Sequence, residues 1–171
     1  MTDALIQIVD ENDVVLMSGT RREAQEKGLW HRIVRVMLID ETGKLLLQKR
    51  AKGVLSPGCW DFSSSGHVDA GEGYDEAACR ELSEELSVRE VKLTKVNHGK
   101  VERKTDDGLL FRRFFTAYTA HIPHDYPLQL DYEEVEEVCW VTIDDLKQRI
   151  AENPDNYTHG LRAAVEWGEF E

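Results

Sequence analysis

Between Gly66 and Val88 the chain gathers carboxylates at spacings that suit a divalent cation. Five residues separate Gly66 from Glu72, seven separate Glu72 from Arg80, and Glu81, Glu84 and Glu85 follow at once. The stretch from about Tyr74 to Leu86 reads as a helix. At about 100° per residue, Glu81 and Glu85 stack one turn apart with Glu84 beside them, so three carboxylates share an arc of roughly 100°. Ala78, Cys79, Leu82 and Leu86 occupy the neighbouring arc and are expected to face the core. Like charges at i,i+3 and i,i+4 cost a helix about a few tenths of a kcal/mol per pair, and a merely solvated face would interleave Lys. Convergent oxygen donors suit a hard cation, Mg²⁺ or alternatively Mn²⁺. Arg80 is placed to pair with Glu76 or Glu84 and hold a carboxylate in orientation.

The elements that must position this segment follow from periodicity and turn residues. Leu5–Val9 and Val14–Met17 flank a polar turn and suggest a hairpin. Thr20-Arg21-Arg22-Glu23 has the form of a capping box opening a short helix to about Lys27. Ile33–Ile39 reads as a buried strand, Asp40–Gly43 as a turn, and Lys44–Arg50 as a second strand. Strands are expected around Val91–Val101 and Arg112–His121, with a turn at Asp106-Asp107-Gly108. A short strand at Val138–Val141, a helix at Ile143–Ala151, a break at Asn153-Pro154 and a last helix at about Tyr157–Trp167 complete the chain. Strands and helices mix without strict alternation, which argues for a mixed sheet carrying helices, an α+β arrangement.

At 171 residues the chain is expected to be one domain, 1–171, with residues 1–28 as an N-terminal extension of hairpin and short helix. Lys plus Arg is 21 against 33 Asp plus Glu, a net charge of −12, which removes the basic footprint of a nucleic-acid binder. The charge is uneven: Arg89–Arg113 holds eight basic residues, whereas Asp125–Asp145 holds eight acids and no Lys or Arg. No apolar run approaches the ~20 residues of a membrane helix. The N-terminus lacks signal-peptide character, and three separated cysteines without a CxxC pair fit the cytoplasm.

The segment 66–88 resembles the Nudix box of the Nudix hydrolases, G-x5-E-x7-R-E-U-x-E-E-x-G-U, where U is aliphatic. Eight of its nine specified positions match: Gly66, Glu72, Arg80, Glu81, Leu82, Glu84, Glu85 and Val88. The departure is Ser87, where the family has a glycine that ends the helix in a left-handed conformation; a non-glycine pays about 1 kcal/mol there. The hairpin and Gly28-Leu29-Trp30-His31-Arg32 resemble the subgroup nearest isopentenyl-diphosphate isomerase. The resemblance implies a Nudix α/β/α sandwich with a mixed central sheet. It also implies Mg²⁺-dependent hydrolysis of a diphosphate bond in a nucleoside diphosphate-linked or other small organic diphosphate. Glu81, Glu84 and Glu85 would hold the metal, Glu84 or Glu134 would act as base, Arg80 would complete the catalytic set, and Glu72 would orient its loop and help cap the helix. Arg50, Arg112, Arg113 and His67 are the candidate substrate-binding residues, and strand alternation lets only one of Arg112 and Arg113 face a cleft.

Two alternatives remain at this level: an isopentenyl-diphosphate isomerase, or a diphosphate-binding domain with little turnover. The isomerase needs a cysteine where this chain has Ser65 in Ser63-Ser64-Ser65-Gly66-His67, and Phe111-Arg112-Arg113 falls where it carries a Glu-x-Glu pair. A hydroxyl is a far weaker acid than a thiol. His31 and His67 do match its metal-ligand positions. Blander readings stand beside the sharper ones: His31 as a structural histidine, Ser65 as a small residue in a tight turn, Glu133–Glu137 as a solvated acidic loop, and Cys79 as a buried small hydrophobe. A homodimer through the hairpin or a sheet edge is the assembly the chain allows, with a small-molecule diphosphate as its partner and no nucleic-acid polymer or membrane.

Overall fold

The computed structural model describes residues 4–104, 108 and 110–170. β1 (Leu5–Val9) and β2 (Val15–Thr20) form the expected hairpin, its turn closed by Asp10 Oδ1 accepting from the backbone of Asn12 and Val14 at 2.8 and 2.9 Å. Thr20 caps α1 (Arg21–Lys27): Oγ1 accepts from Glu23 N and Glu23 Oε2 accepts from Thr20 N, each at 3.1 Å.

β3 (Trp30–Ile39) organises the sheet. Along one edge it runs parallel to β8 (Leu110–His121), which pairs in turn with β7 (Thr94–Lys104). Three strands share its other edge: β1 at His31, β6 (Ser64–His67) from Ile33 to Val36, and β4 (Leu45–Arg50) at Ile39. β4 then continues between β5 (Trp60–Asp61) and β9 (Val135–Val141). The sheet thus forks, and α2 (Tyr74–Leu86) reaches both arms: Glu81 lies against Gly66 of β6, and Glu85 bonds Gln48 of β4.

Alternation along β3 divides the core. Val34, Val36 and Leu38 pack with Leu82 and Leu86 of α2, while Met37 joins Leu45, Leu47, Phe62, Leu146 of α3 (Ile143–Glu152) and Leu161 of α4 (His159–Glu166). Helices therefore cover both faces of a mixed sheet. Among the described residues no helix is long and apolar enough to cross a membrane.

Several expectations are corrected. β5 and β6 were not legible as strands, because two- and four-residue segments of Ser, Gly and Trp carry no usable period. β9 begins at Val135 rather than Val138, and α4 starts two residues later than expected because Thr158 caps it, its side chain accepting from Leu161 N. Cys79 is exposed, not buried. The buried arc of α2 runs through Ala77, Ala78, Glu81, Leu82, Glu85 and Leu86, so two of the carboxylates lie in its middle and Cys79 falls past its margin. Asp106 and Asp107 of the expected turn lie outside the described residues, while Gly108 has φ 89.

Candidate active site

Gly66 opens the segment because nothing larger fits. A Cβ there would meet Glu81 Oε1 at 2.0 Å and Cδ at 2.1 Å, so the strand backbone forms one wall of the carboxylate site. The loop between β6 and α2 is held by Arg80. Its Nε and Nη2 donate to the two oxygens of Glu72 at 2.9 and 3.0 Å, Nη2 donates to His67 O at 2.9 Å, and Nη1 donates to Glu81 Oε1 at 2.8 Å and Glu84 Oε2 at 3.0 Å. Glu72 Oε2 also accepts from Asp69 N at 3.0 Å, and Gln7 of the hairpin donates to Glu72 O at 2.7 Å. Arg80 thus pairs with Glu72 and Glu84 and not with Glu76. Glu76 Oε2 instead accepts from Gly73 N at 2.8 Å and caps α2, the role expected of Glu72.

The helix ends as the family pattern requires despite the missing glycine: Ser87 adopts φ 56, and its N–H and that of Val88 return to Ser83 O and Leu82 O. This end anchors the acidic loop. Gln129 N donates to Leu86 O at 3.2 Å, Asp131 N to Glu85 O at 3.0 Å, and Glu134 N to Asp131 O at 3.0 Å. The loop brings Glu134 close enough to raise the carboxyl pKa of both Glu81 and Glu85. It remains exposed, and among the described residues no cation is bonded to it.

Glu81 and Glu85 are 5 % and 3 % exposed. Burial pushes the Glu81 carboxyl up to about 7; Arg80 opposes this, and Glu84 and Glu134 add to it. Burial likewise pushes Glu85 well above the carboxylate range, reinforced by Glu81 and Glu134 and opposed by Ser64 and Arg50. Gln48 Nε2 donates to Glu85 Oε2 at 3.1 Å, while the buried Gln48 Oε1 has no partner among the described residues.

These groups fit a divalent cation. Two buried carboxylates that repel each other are stabilised by a positive charge between them. Their oxygens, with Glu84 and the orphaned amide oxygen of Gln48 nearby, are donors for a hard ion. Among the described residues no three His, Cys, Asp or Glu side chains stand at common ligand distance; Glu81 and Glu84 are engaged by Arg80, bonds that a cation would have to displace.

Of the candidate substrate-binding residues, Arg50 donates to Asp61 Oδ2 at 3.0 Å and to Leu55 O at 2.6 Å. Its neighbour Lys49 turns away to Glu136 and Glu137. Arg112 pairs with Glu102 at 2.8 Å on a partly exposed face, whereas Arg113 points to His31. Alternation therefore sends Arg113 toward His31 and Arg112 to the opposite face of β8. His67 stacks on His31 with ring centroids 5.3 Å apart. Gln48 and Asp61 were missed by sequence reasoning. The available signal was Gln48 at the position two before Arg50, a polar residue sharing its face where the apolar run Leu45–Leu47 ends.

The match to known proteins agrees with this geometry. The family model described as NUDIX domain covers residues 29–161. An uncharacterised Nudix hydrolase of Pseudomonas aeruginosa is 36% identical over 138 residues, which is 80% of this chain and 78% of that protein. An isopentenyl-diphosphate Delta-isomerase of Streptomyces avermitilis is 35% identical over 157 residues, 88% of this chain and 77% of that protein. The crystal structure of DR0079 from Deinococcus radiodurans shares the fold, with a TM-score of 0.78 at 23% identity, covering 95% of this chain and 97% of that one. The chain belongs to the NUDIX domain family, and its enzyme class is that of the Nudix pyrophosphatases.

Proposed function

We propose that this chain hydrolyses the diphosphate bond of a nucleoside diphosphate-linked or other small organic diphosphate, with Mg²⁺ as its metal. The observation that carries this reading is the pair of buried, mutually repelling carboxylates, Glu81 and Glu85, with Glu84 and Glu134 at its edge. Glu81, Glu84 and Glu85 would hold the cation, with Arg80, braced by Glu72 and the His67 carbonyl, orienting Glu81 and Glu84, and Gln48 orienting Glu85. When bound, the cation would draw charge from the phosphate and lower the pKa of the attacking water. Glu134 takes the water's proton, because it is exposed beside the site while Glu84 is held by Arg80. Arg50, Arg113 and His67 receive the non-bridging phosphate oxygens.

Phosphate release is to be measured with Mg²⁺ over a panel of diphosphates that includes isopentenyl diphosphate. Glu85→Gln should lower release by about 100-fold or more, since it removes a ligand charge while keeping the shape. Undiminished release in both Glu84→Gln and Glu85→Gln overturns the metal assignment. The similarity to the Streptomyces isomerase supports a second reading, opposed by Ser65 and by Arg113. Conversion of isopentenyl diphosphate to its isomer without phosphate release would establish that reading instead.

A further inference from the structure

Next to the carboxylates, the fork of the sheet holds a cluster of donors whose neighbouring carboxylate, Asp61, is bonded by Arg50 and leaves the Arg113 fork open. The strand register sets His31 beside Arg113 and His67 opposite Ile33, so all three side chains share one face. The imidazoles of His31 and His67 stack at an interplanar angle of 16°. His31 Nδ1 lies 3.0 Å from Leu29 O and donates to it, which leaves Nε2 to accept from Arg113 Nε at 3.3 Å. That bond uses one of the five guanidinium donors. Among the described residues no carboxylate pairs with Arg113, and the buried Nε2 of His67 has no partner. Arg50 and Arg103 lie near Arg113, and Arg21 and Arg50 near His67. Burial and these cations push Arg113 down to about 10, and burial brings His31 down to about 4. A chain of net charge −12 has thus concentrated positive potential here. A metal ion is disfavoured, because a guanidinium already occupies the histidine nitrogen it would use. Arg50 also acts on Glu85 and bonds Asp61, so the cluster lies within electrostatic reach of the carboxylates across the fork.

We propose that Arg113, flanked by His67 and Arg50, binds the unesterified terminal phosphate of the substrate, so that the enzyme selects diphosphates with a free end over those esterified at both ends. An unesterified phosphate carries about −1.5 to −2 charge at neutral pH and three acceptor oxygens. A doubly esterified phosphate offers one charge and two such oxygens. The open guanidinium fork matches the more highly charged end. This selectivity rests on the hydrolase reading; the binding site itself does not.

The test has two arms. Metal-free protein is titrated with inorganic phosphate while the ring signals of His31 and His67 are followed by NMR. Saturable shifts of both rings are expected, abolished in Arg113→Gln and partly kept in Arg113→Lys. With Mg²⁺ present, Arg113→Gln should lower the ratio of kcat/KM for ADP over ADP-ribose by about tenfold or more, chiefly through the KM for ADP. Rings that ignore millimolar phosphate in the folded wild type, or that answer to Zn²⁺ instead, overturn the subsite. Phosphate binding with an unchanged substrate ratio marks a site for free phosphate only and overturns the selectivity. Phosphate binding in a protein that hydrolyses no diphosphate supports the subsite and overturns the hydrolase reading.

Discussion

Glu81 shows how a single residue carries both the chemistry and its cost. Its carboxylate is buried against Gly66 and beside Glu85, and its pKa is pushed up to about 7 by burial first and by neighbouring carboxylates second. A carboxyl whose folded pKa is raised binds protons more readily in the native state than in the unfolded chain. Its stabilising contribution is therefore fully present below the unfolded value of about 4.5 and is lost as pH rises through about 7. Metal-free protein should show a melting temperature that falls between pH 5 and pH 8, by about several degrees. Glu81→Gln should flatten that fall, and saturating Mg²⁺ should reverse it. A melting temperature independent of pH in the metal-free wild type would show that the carboxylates are not strained by burial.

At the scale of elements, the segment works as two walls with a helix between them, and each end depends on one small residue. Gly66 leaves space for Glu81 on the strand side. Gly66→Ala should fold, because its neighbour is a side chain that can swing away, but it should lower Mg²⁺ affinity by about 10- to 100-fold as Glu81 is displaced. Isothermal titration with Mg²⁺ reads this directly. Ser87 terminates α2 at φ 56, where glycine is at no disadvantage. Ser87→Gly should raise stability by about 1 kcal/mol in urea unfolding and leave kcat unchanged, since the helix end already has the family's conformation. The left-handed end at Ser87 was not legible, because a non-glycine there is decided by the packing around the helix end, whereas the helix and its three carboxylates were legible from spacing. The partners of Arg80 were not: Glu72 is eight residues away across a loop, and helical geometry could suggest only Glu76 and Glu84.

At the scale of the whole molecule, the C-terminal segment is tied to the sheet. Arg35 of β3 and Glu169 pair with side chains 4 % and 3 % exposed, and Asn97 of β7 donates to Glu169 Oε1 at 2.6 Å. Arg35 is also held over the Phe115 ring, 3.7 Å from its centroid. Removing one member leaves a buried charge uncompensated, so Glu169→Ala should destabilise the protein by about 3–5 kcal/mol in urea unfolding. A loss under about 1 kcal/mol would show the C-terminal segment to be dispensable for the fold. The charge of −12 likewise gains meaning only in three dimensions. Four of the acids, Glu81, Glu84, Glu85 and Glu134, converge from a helix and a distant loop, while the basic residues Arg50 and Arg113 converge from two strands.

What the sequence by itself determined was the local chemistry: a helix bearing three carboxylates at metal-binding spacing, a capped N-terminal helix, and strands whose alternation admitted one of two adjacent arginines. These are set by contacts within a few residues, where 3.6- and 2-residue periods hold. What only the tertiary structure decided was which groups meet. Glu85 with Gln48, Glu134 with the box carboxylates, and His31 with His67 and Arg113 are joined across the fork of the sheet. Such pairings depend on register between segments far apart in the chain, and register is fixed by the packing of both core faces at once. The same packing drew Glu81 and Glu85 into the middle of the buried arc, where burial raises the pKa of both carboxyls.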